Sequence, residues 1–252
     1  MLTRRQLREF HTENVPLHVL ELDYIQSLVL KGIYARQNGV AFKGGTCLRK
    51  VFGLDRYSED LDFNLLTGKP EKMLGDGVRG LKIAGIESSL ACLKKRKSVY
   101  LATIRYQGPL YTGSRISEGS MRIEIAEQKP RLAPEWRTIV SPFPDAGTYS
   151  VLSMAPEELL AEKLRALVQR RKARDIYDTW FLLKRGVTVR QDLLDSKFDE
   201  LGMDPRRITD ILKGYGLTEK EWERDMKNLV ARAPTMAPMM EYVEKRLRGD
   251  IG

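Results

Sequence analysis

The chain begins with apolar residues at helical spacing and then changes to short strand-like runs. Residues 3–38 are predicted to be mostly helical, with a break at Pro16. The apolar run 40–42 predicts a strand that leads through Gly44-Gly45-Thr46 into a helical pattern over 47–52. This order indicates a strand, a tight glycine turn and a helix.

From residue 60 onward polar and apolar side chains alternate, which predicts a half-buried strand. Asp60 and Asp62 then share one face, and Leu61, Phe63 and Leu65 share the other.

Two further strands are predicted at 99–106 and 121–126, as an antiparallel hairpin joined by a long loop over 107–120. Glu124 lies on the polar face of the second of them. The segment 70–93, between the Asp60 strand and this hairpin, is predicted to be a helix despite four glycines.

A cluster of prolines between residues 130 and 156 marks the predicted crossover to a second domain. The chain therefore divides into an α+β domain with N-terminal helices over 1–130, a crossover segment over 131–155 and a helical domain over 156–252. The fold class is α+β, a mixed sheet with flanking helices followed by an α-helical domain.

Composition narrows the functional classes. The 252 residues include 43 Lys and Arg against 34 Asp and Glu, a net charge of +9 that favours a polyanionic partner. The basic run 94–97 is either a solvated surface or a track for a phosphate backbone. With two histidines and two cysteines that form no CxxC, chemistry is expected on carboxylates and lysines.

The sequence predicts no membrane segment, since no stretch approaches 18 uncharged apolar residues. The opening residues lack the apolar core of a signal peptide, so we expect a cytoplasmic protein.

Three carboxylates are the candidate metal ligands. Asp60 and Asp62 project side by side from one strand, and Glu124 on a neighbouring strand completes an oxygen cage for two Mg²⁺ ions. The glycine pair at 44–45 lets backbone N–H groups approach a triphosphate at a helix N-terminus. Taken singly, each feature has a plainer interpretation: a solvated face, a structural turn, or a surface ion pair between Glu124 and Arg122.

Two blocks of sequence resemble the AbiEii/AbiGii toxin family, nucleotidyltransferases of the DNA-polymerase-β superfamily to which the mycobacterial MenT toxins belong. The first block is Phe42-Lys43-Gly44-Gly45-Thr46 followed by Arg56-x-Ser58-x-Asp60-x-Asp62-Phe63. The second is PEELLAEKLRA over 156–166, followed by a stretch from Arg170 to Asp178 that contains the Arg-Asp-x-Tyr-Asp element over 174–178. The resemblance covers residues 20–185. It departs from the superfamily pattern at Glu124, where aspartate is commoner.

The resemblance implies a polymerase-β-type nucleotidyltransferase domain with its active site in a cleft next to the helical domain. Asp60, Asp62 and Glu124 would hold two Mg²⁺ ions, with Glu124 alternatively acting as the base. The residues that would bind the NTP are Gly44, Gly45, Thr46, Arg56, Ser58 and Lys163. The acceptor would be RNA, and among RNAs the 3′ end of tRNA. The protein would be the toxin beside a separately encoded antitoxin.

Lys163 can also be considered from its helix alone. It lies within the apolar arc formed by Leu159, Leu160, Leu164, Leu167 and Val168, so it requires an anionic partner or must extend toward solvent. In the next predicted helix Asp175 and Asp178 lie outside the apolar arc, so either both are solvated or Asp175 orients Lys163 or Arg174. The resemblance favours Asp175 over Asp178 as the functional residue.

Two other functions stay open on the sequence. One is nucleotidylation of a protein or a small molecule. The other is a non-catalytic nucleic-acid-binding module on the same fold, which the set of three carboxylates disfavours.

Overall fold

The computed structural model describes residues 1–11, 13–232 and 234–251, and the chain divides into two compact units, Met1–Met154 and Ala155–Gly252. The helices of the first unit are α1 (Arg4–Glu9), α2 (Leu17–Tyr34), α3 (Gly44–Phe52) and α4 (Pro70–Ile83). Its strands are β1 (Val40–Lys43), β2 (Leu61–Leu65), β3 (Ser88–Arg96), β4 (Val99–Tyr106), β5 (Gly119–Ala126), β6 (Glu135–Val140) and β7 (Thr148–Ser153).

All seven strands form one mixed sheet in the order β3-β4-β5-β2-β1-β7-β6. β2 runs antiparallel to β1 on one side and parallel to β5 on the other, and β1 runs parallel to β7. Val40, Ala41 and Phe42 of β1 are fully buried, as are Leu61 and Phe63 of β2. The sheet therefore places the start of β2 at its centre, between β1 and β5.

Glycines allow α2 and α4 to pack closely. A Cβ atom added at Gly80 would lie 2.8 Å from both the Gly32 Cα and the Leu28 carbonyl oxygen. The glycines that weaken the helical prediction around 70–85 thus include one that the helix packing requires.

The structure confirms several predicted elements. Pro16 immediately precedes α2, β1 leads directly into α3, and β4 and β5 form the predicted antiparallel pair. The predicted alternation holds over Leu61, Asp62 and Phe63, of which Asp62 alone is half-buried. The strand begins one residue after Asp60, and Asn64, predicted on the polar face, is buried.

The prediction of one helix over 70–93 is wrong. α4 ends at Ile83, Gly85 adopts a left-handed conformation with φ +76°, and the chain then forms β3. β3 is an edge strand whose side chains are mostly exposed, so it lacks the apolar alternation that identifies a half-buried strand.

The segment 131–155, predicted as a crossover, contains two strands of the main sheet. β6 and β7 pair antiparallel, and β7 lies beside β1. β6 is the other edge strand of the sheet, and prolines surround β6 and β7. The segment therefore has the amino-acid composition of a linker, although its backbone is hydrogen-bonded into the sheet.

The second unit is built from helices, which agrees with the helical pattern predicted after Pro156. They are α5 (Pro156–Arg170), α6 (Ala173–Lys184), α7 (Gln191–Asp199), α8 (Ile208–Lys213), α9 (Glu219–Met226) and α10 (Met236–Ile251). None of the helices in the described ranges is long and apolar enough to cross a bilayer.

Candidate active site

The carboxylates predicted to act together lie on neighbouring strands. Asp62 on β2 is the register partner of Glu124 on parallel β5, and Lys43 on β1 faces Asp62 from the other side. Side chains of register partners project from the same face of a sheet. The side chains of Asp62 and Glu124 therefore stand next to each other, Asp62 half-buried and Glu124 exposed.

The turn before α3 is fitted against Asp62. Gly44 has φ +78°, and a Cβ atom there would overlap the Asp62 carboxylate. Two residues on, the Thr46 hydroxyl donates a hydrogen bond of 2.5 Å to the Asp60 carbonyl oxygen. These contacts fix the first turn of α3 against the residues that open β2, so the glycine turn and the two aspartates form one structural unit.

Gly45, Arg56 and Ser58 also come together. A Cβ atom at Gly45 would lie 2.6 Å from an Arg56 Nη atom and 2.8 Å from the Ser58 Oγ. Arg56 is only 2% exposed and donates from Nη1 to the Tyr57 carbonyl oxygen at 2.7 Å. The Gln26 amide, which no sequence motif indicated, donates to the Ser58 carbonyl oxygen at 2.9 Å. Because Arg56 is buried against Gly45, its side chain supports the backbone of the glycine turn.

Asp60 is engaged by a cation. The Arg122 guanidinium donates from Nε to Asp60 Oδ1 at 2.8 Å and from an Nη atom to Oδ2 at 3.4 Å. Arg122 lies two residues before Glu124 on β5, and Asp60 raises the pKa of its guanidinium, with smaller contributions from Glu59 and Asp62. Arg122 thus forms an ion pair with Asp60, whereas the sequence alone had also allowed a surface ion pair between Arg122 and Glu124.

The residues fit a divalent cation by chemistry and by strand register. Asp62 and Glu124 on adjacent strands, and Asp60, the residue just before β2, supply the oxygen donors that Mg²⁺ prefers. Within the described part of the chain, no three His, Cys, Asp or Glu side chains converge closely enough to hold a metal ion as they stand. For Asp60 the reason is its contact with Arg122, because both Asp60 carboxylate oxygens accept hydrogen bonds from the guanidinium. A cation at Asp60 would displace Arg122.

In the second unit, Lys163 lies in a buried ionic cluster. Its side chain is 9% exposed, and its Nζ lies 2.7 Å from Asp178 Oδ2 and 3.9 Å from Asp175 Oδ1. Lys163 therefore has anionic partners, and Asp178 makes the shorter of the two contacts.

Asp175 is held mainly by another residue. Arg170 binds it through two hydrogen bonds of 2.9 Å, one to each carboxylate oxygen. Asp175 and Asp178 are both fully buried, so their predicted position outside the buried face of α6 is wrong. Arg170 belongs to the matched block, but nothing in its spacing assigned it to Asp175.

Comparison with known proteins identifies a family and a set of similar folds. The family described as nucleotidyl transferase AbiEii toxin, type IV toxin–antitoxin system, matches residues 30–245. A search of curated proteins found no match.

Two solved structures share the fold. The chain is similar to MenT4, a nucleotidyltransferase toxin from Mycobacterium tuberculosis H37Rv, at a TM-score of 0.70 and 22% identity, covering 98% of this chain and 88% of MenT4. It is also similar to JHP933 from Helicobacter pylori, at a TM-score of 0.60 and 20% identity, covering 93% and 92% of the two chains.

Proposed function

This chain belongs to the AbiEii family of nucleotidyltransferase toxins of type IV toxin–antitoxin systems, and from that premise we propose that it transfers a nucleoside monophosphate from an NTP to an acceptor hydroxyl. The observation that carries the proposal is the pairing of Asp62 with Glu124 across β2 and β5, beside the left-handed Gly44 at the start of α3. It places carboxylates and a helix N-terminus at one site, as phosphoryl chemistry requires.

In the proposed reaction the acceptor oxygen forms a bond to the α-phosphorus, and the bond from that phosphorus to the pyrophosphate oxygen breaks. The acceptor hydroxyl loses its proton, for which Glu124 is the exposed carboxylate at hand. Asp60 and Asp62 would hold two divalent ions, and Glu124 would bind the second of them where it does not act as the base. Bound ions would stabilise the negative charge on the attacking and leaving oxygens.

The remaining predicted residues have supporting and binding parts in the proposal. The first turn of α3, with Gly44, Gly45 and Thr46, offers backbone N–H groups to the triphosphate. Arg56 and Ser58 shape that turn from beneath Gly45. Lys163 is proposed to contact the NTP, and Asp178 and Asp175 hold its ammonium group in place.

We propose RNA, and specifically the 3′ end of tRNA, as the acceptor. The net charge of +9 supports a polyanionic partner. The reaction would take place in the cytoplasm, where NTP and tRNA are both present. A separately encoded antitoxin follows from the type IV family.

Label transfer tests the function. Each α-labelled NTP is supplied with Mg²⁺ to wild-type protein, Asp62→Asn and Asp60→Asn, with total RNA in one series and total protein in another. Asp195→Asn, a change of an exposed aspartate on α7, is the matched control. We expect label in the RNA with wild type and the control, and none with the two site variants, because each loses a negative charge from the proposed metal site. Full activity of either site variant refutes the assignment, and label in the protein pool alone establishes the rival acceptor.

A further inference from the structure

The row of residues through Asp62 and Glu124 continues across the sheet. Glu124 on β5 is the register partner of Leu101 on β4, and Leu101 is the register partner of Lys94 on edge strand β3. Register partners share a face, so Lys94 lies on the same face as the carboxylates, three strand spacings from Asp62, or about 14 Å. We call this exposed surface of β3, β4 and β5 the open face.

The open face is cationic away from the carboxylates. By the same register it also carries Arg96, which pairs with Val99, and Arg105, which pairs with Ser120. Lys94, Arg96 and Arg105 are exposed, and Arg105 has only a distant contact of 4.0 Å with Glu118. Among the described residues, Lys94 and Arg96 form no ion pair. Exposed charges without internal partners are available to bind an external anion.

Lys95, between Lys94 and Arg96, behaves differently. Its register partner is Tyr100, so it projects from the opposite face of the sheet. There its Nζ lies 2.6 Å from Glu127 Oε1 and 4.9 Å from the centre of the Tyr100 ring. The basic run 94–97 is therefore divided between two faces, and only one of them leads to the candidate active site.

We propose that the open face binds the phosphodiester backbone of the RNA acceptor and guides its end to Asp62 and Glu124. This inference rests on the proposed function. Lys94, Arg96 and Arg105 form the binding track, and the carboxylates repel the same backbone at the end where the hydroxyl must arrive. Contacts to phosphates position a nucleic acid without reading its bases, so the track binds the RNA acceptor through its charge and not through its sequence.

The experiment compares neighbouring lysines. Lys94→Gln and Lys95→Gln remove the same charge from adjacent positions on opposite faces, and Lys94→Gln/Arg96→Gln enlarges the effect. Binding of fluorescently labelled, unfractionated tRNA is measured from 50 to 300 mM salt, together with transfer of α-labelled NTP to that tRNA. Each lost contact to single-stranded phosphates should reduce the slope of log K against log salt by about 0.7. At 0.1 M salt this corresponds to about 5-fold weaker binding for Lys94→Gln and about 25-fold for the double variant.

Lys95→Gln should bind tRNA like wild type. A fluorescent NTP analogue should bind equally to all variants, which shows that the chain is folded and that the nucleotide site is intact. If wild type binds and labels tRNA but Lys94→Gln and Lys95→Gln behave alike, the open face is not the track, while the proposed function stands. If wild type neither binds nor labels tRNA, both proposals are wrong. If the protein pool is labelled and the double variant reduces that labelling, the open face recognises an acidic protein and the RNA assignment is overturned.

Discussion

Replacing Gly44 with alanine tests whether the turn before α3 controls Asp62. The chain offers a matched control, because α3 has a left-handed glycine at each end: Gly44 with φ +78° and Gly53 with φ +80°. A Cβ atom at Gly53 would meet nothing within 4 Å, whereas at Gly44 it would overlap the Asp62 carboxylate. The two substitutions therefore share the backbone strain and differ in the contact with Asp62.

The magnitudes follow from these two effects. An alanine in the left-handed region costs about 1–2 kcal/mol, which is the whole expected loss for Gly53→Ala. Gly44→Ala adds about 1–3 kcal/mol for the forced displacement of Asp62, so about 2–5 kcal/mol of unfolding free energy in total. In an Asp62→Ala background the second contribution disappears, and Gly44→Ala should then cost about as much as Gly53→Ala.

Urea denaturation gives the free energies of unfolding, and label transfer from α-labelled NTP gives the activity. Under conditions where each variant is folded, Gly53→Ala should retain transfer and Gly44→Ala should lose it, because the displaced carboxylate no longer stands beside Glu124. Equal stability losses for the two variants in the wild-type background, together with equal activity, would refute the link between the glycine turn and Asp62.

Three further changes have expected outcomes. Lys163→Met should lower the free energy of unfolding by about 3–5 kcal/mol, because the buried Asp178 carboxylate loses the ammonium group that lies 2.7 Å from it, and adding Asp178→Asn should restore much of the stability in urea denaturation but no transfer activity. Burial raises the pKa of Glu21, and the hydrogen bond from the Leu110 N–H opposes this in part. The contribution of Glu21 to stability is therefore greatest below the pKa of a glutamate in the unfolded chain, about 4.3. It is lost as the pH rises through the higher pKa of the folded state. Glu21→Gln should therefore raise the melting temperature at pH 7 and lose this advantage near pH 4, whereas exposed Glu223→Gln should show no such difference. Gly80→Ala should destabilise the protein by about 1–3 kcal/mol through the clash with α2, whereas Gly75→Ala on the same helix, where a Cβ would meet nothing within 4 Å, should stabilise it by up to about 1 kcal/mol in the same denaturation experiment.

The central strands were predictable because burial leaves a clear pattern in them. β1 is wholly apolar before Lys43, and β2 alternates between buried Leu61 and Phe63 and the more polar Asp62. The edge strands β3 and β6 carry no such pattern, since a strand with one neighbour and two solvated faces needs few apolar side chains. The alternation in β7, with Tyr149 and Val151 buried between exposed Thr148 and Ser150, was readable, but the surrounding prolines suggested a linker.

The candidate site shows the same division between local pattern and tertiary contact. Spacing alone placed Asp60 and Asp62 on a strand and Glu124 on another, and the register of β2 with β5 aligns Asp62 with Glu124. No local pattern could indicate that Arg122 turns to Asp60, or that Gln26 of α2 supports Ser58. These contacts join residues 62 and 32 positions apart, so they depend on how the sheet and its helices come together.

Lys163 shows how much a single helix can reveal. Its place in the apolar arc of α5 called for an anionic partner or for a side chain extended toward solvent, and a fully buried carboxylate lies 2.7 Å away. The choice between Asp175 and Asp178 could not be made from α6 alone, because both residues lie on its buried side together with Thr179 and Leu182. Their difference arises from α5, where Arg170 binds both oxygens of Asp175 and leaves Asp178 as the nearer partner of the lysine. Replacing a whole buried ion cluster with apolar residues of similar volume is often neutral or stabilising, whereas removing the lysine alone takes a cation away from two buried carboxylates. The cluster as a whole is therefore not explained by stability, which supports the proposed contact between the Lys163 ammonium group and the NTP.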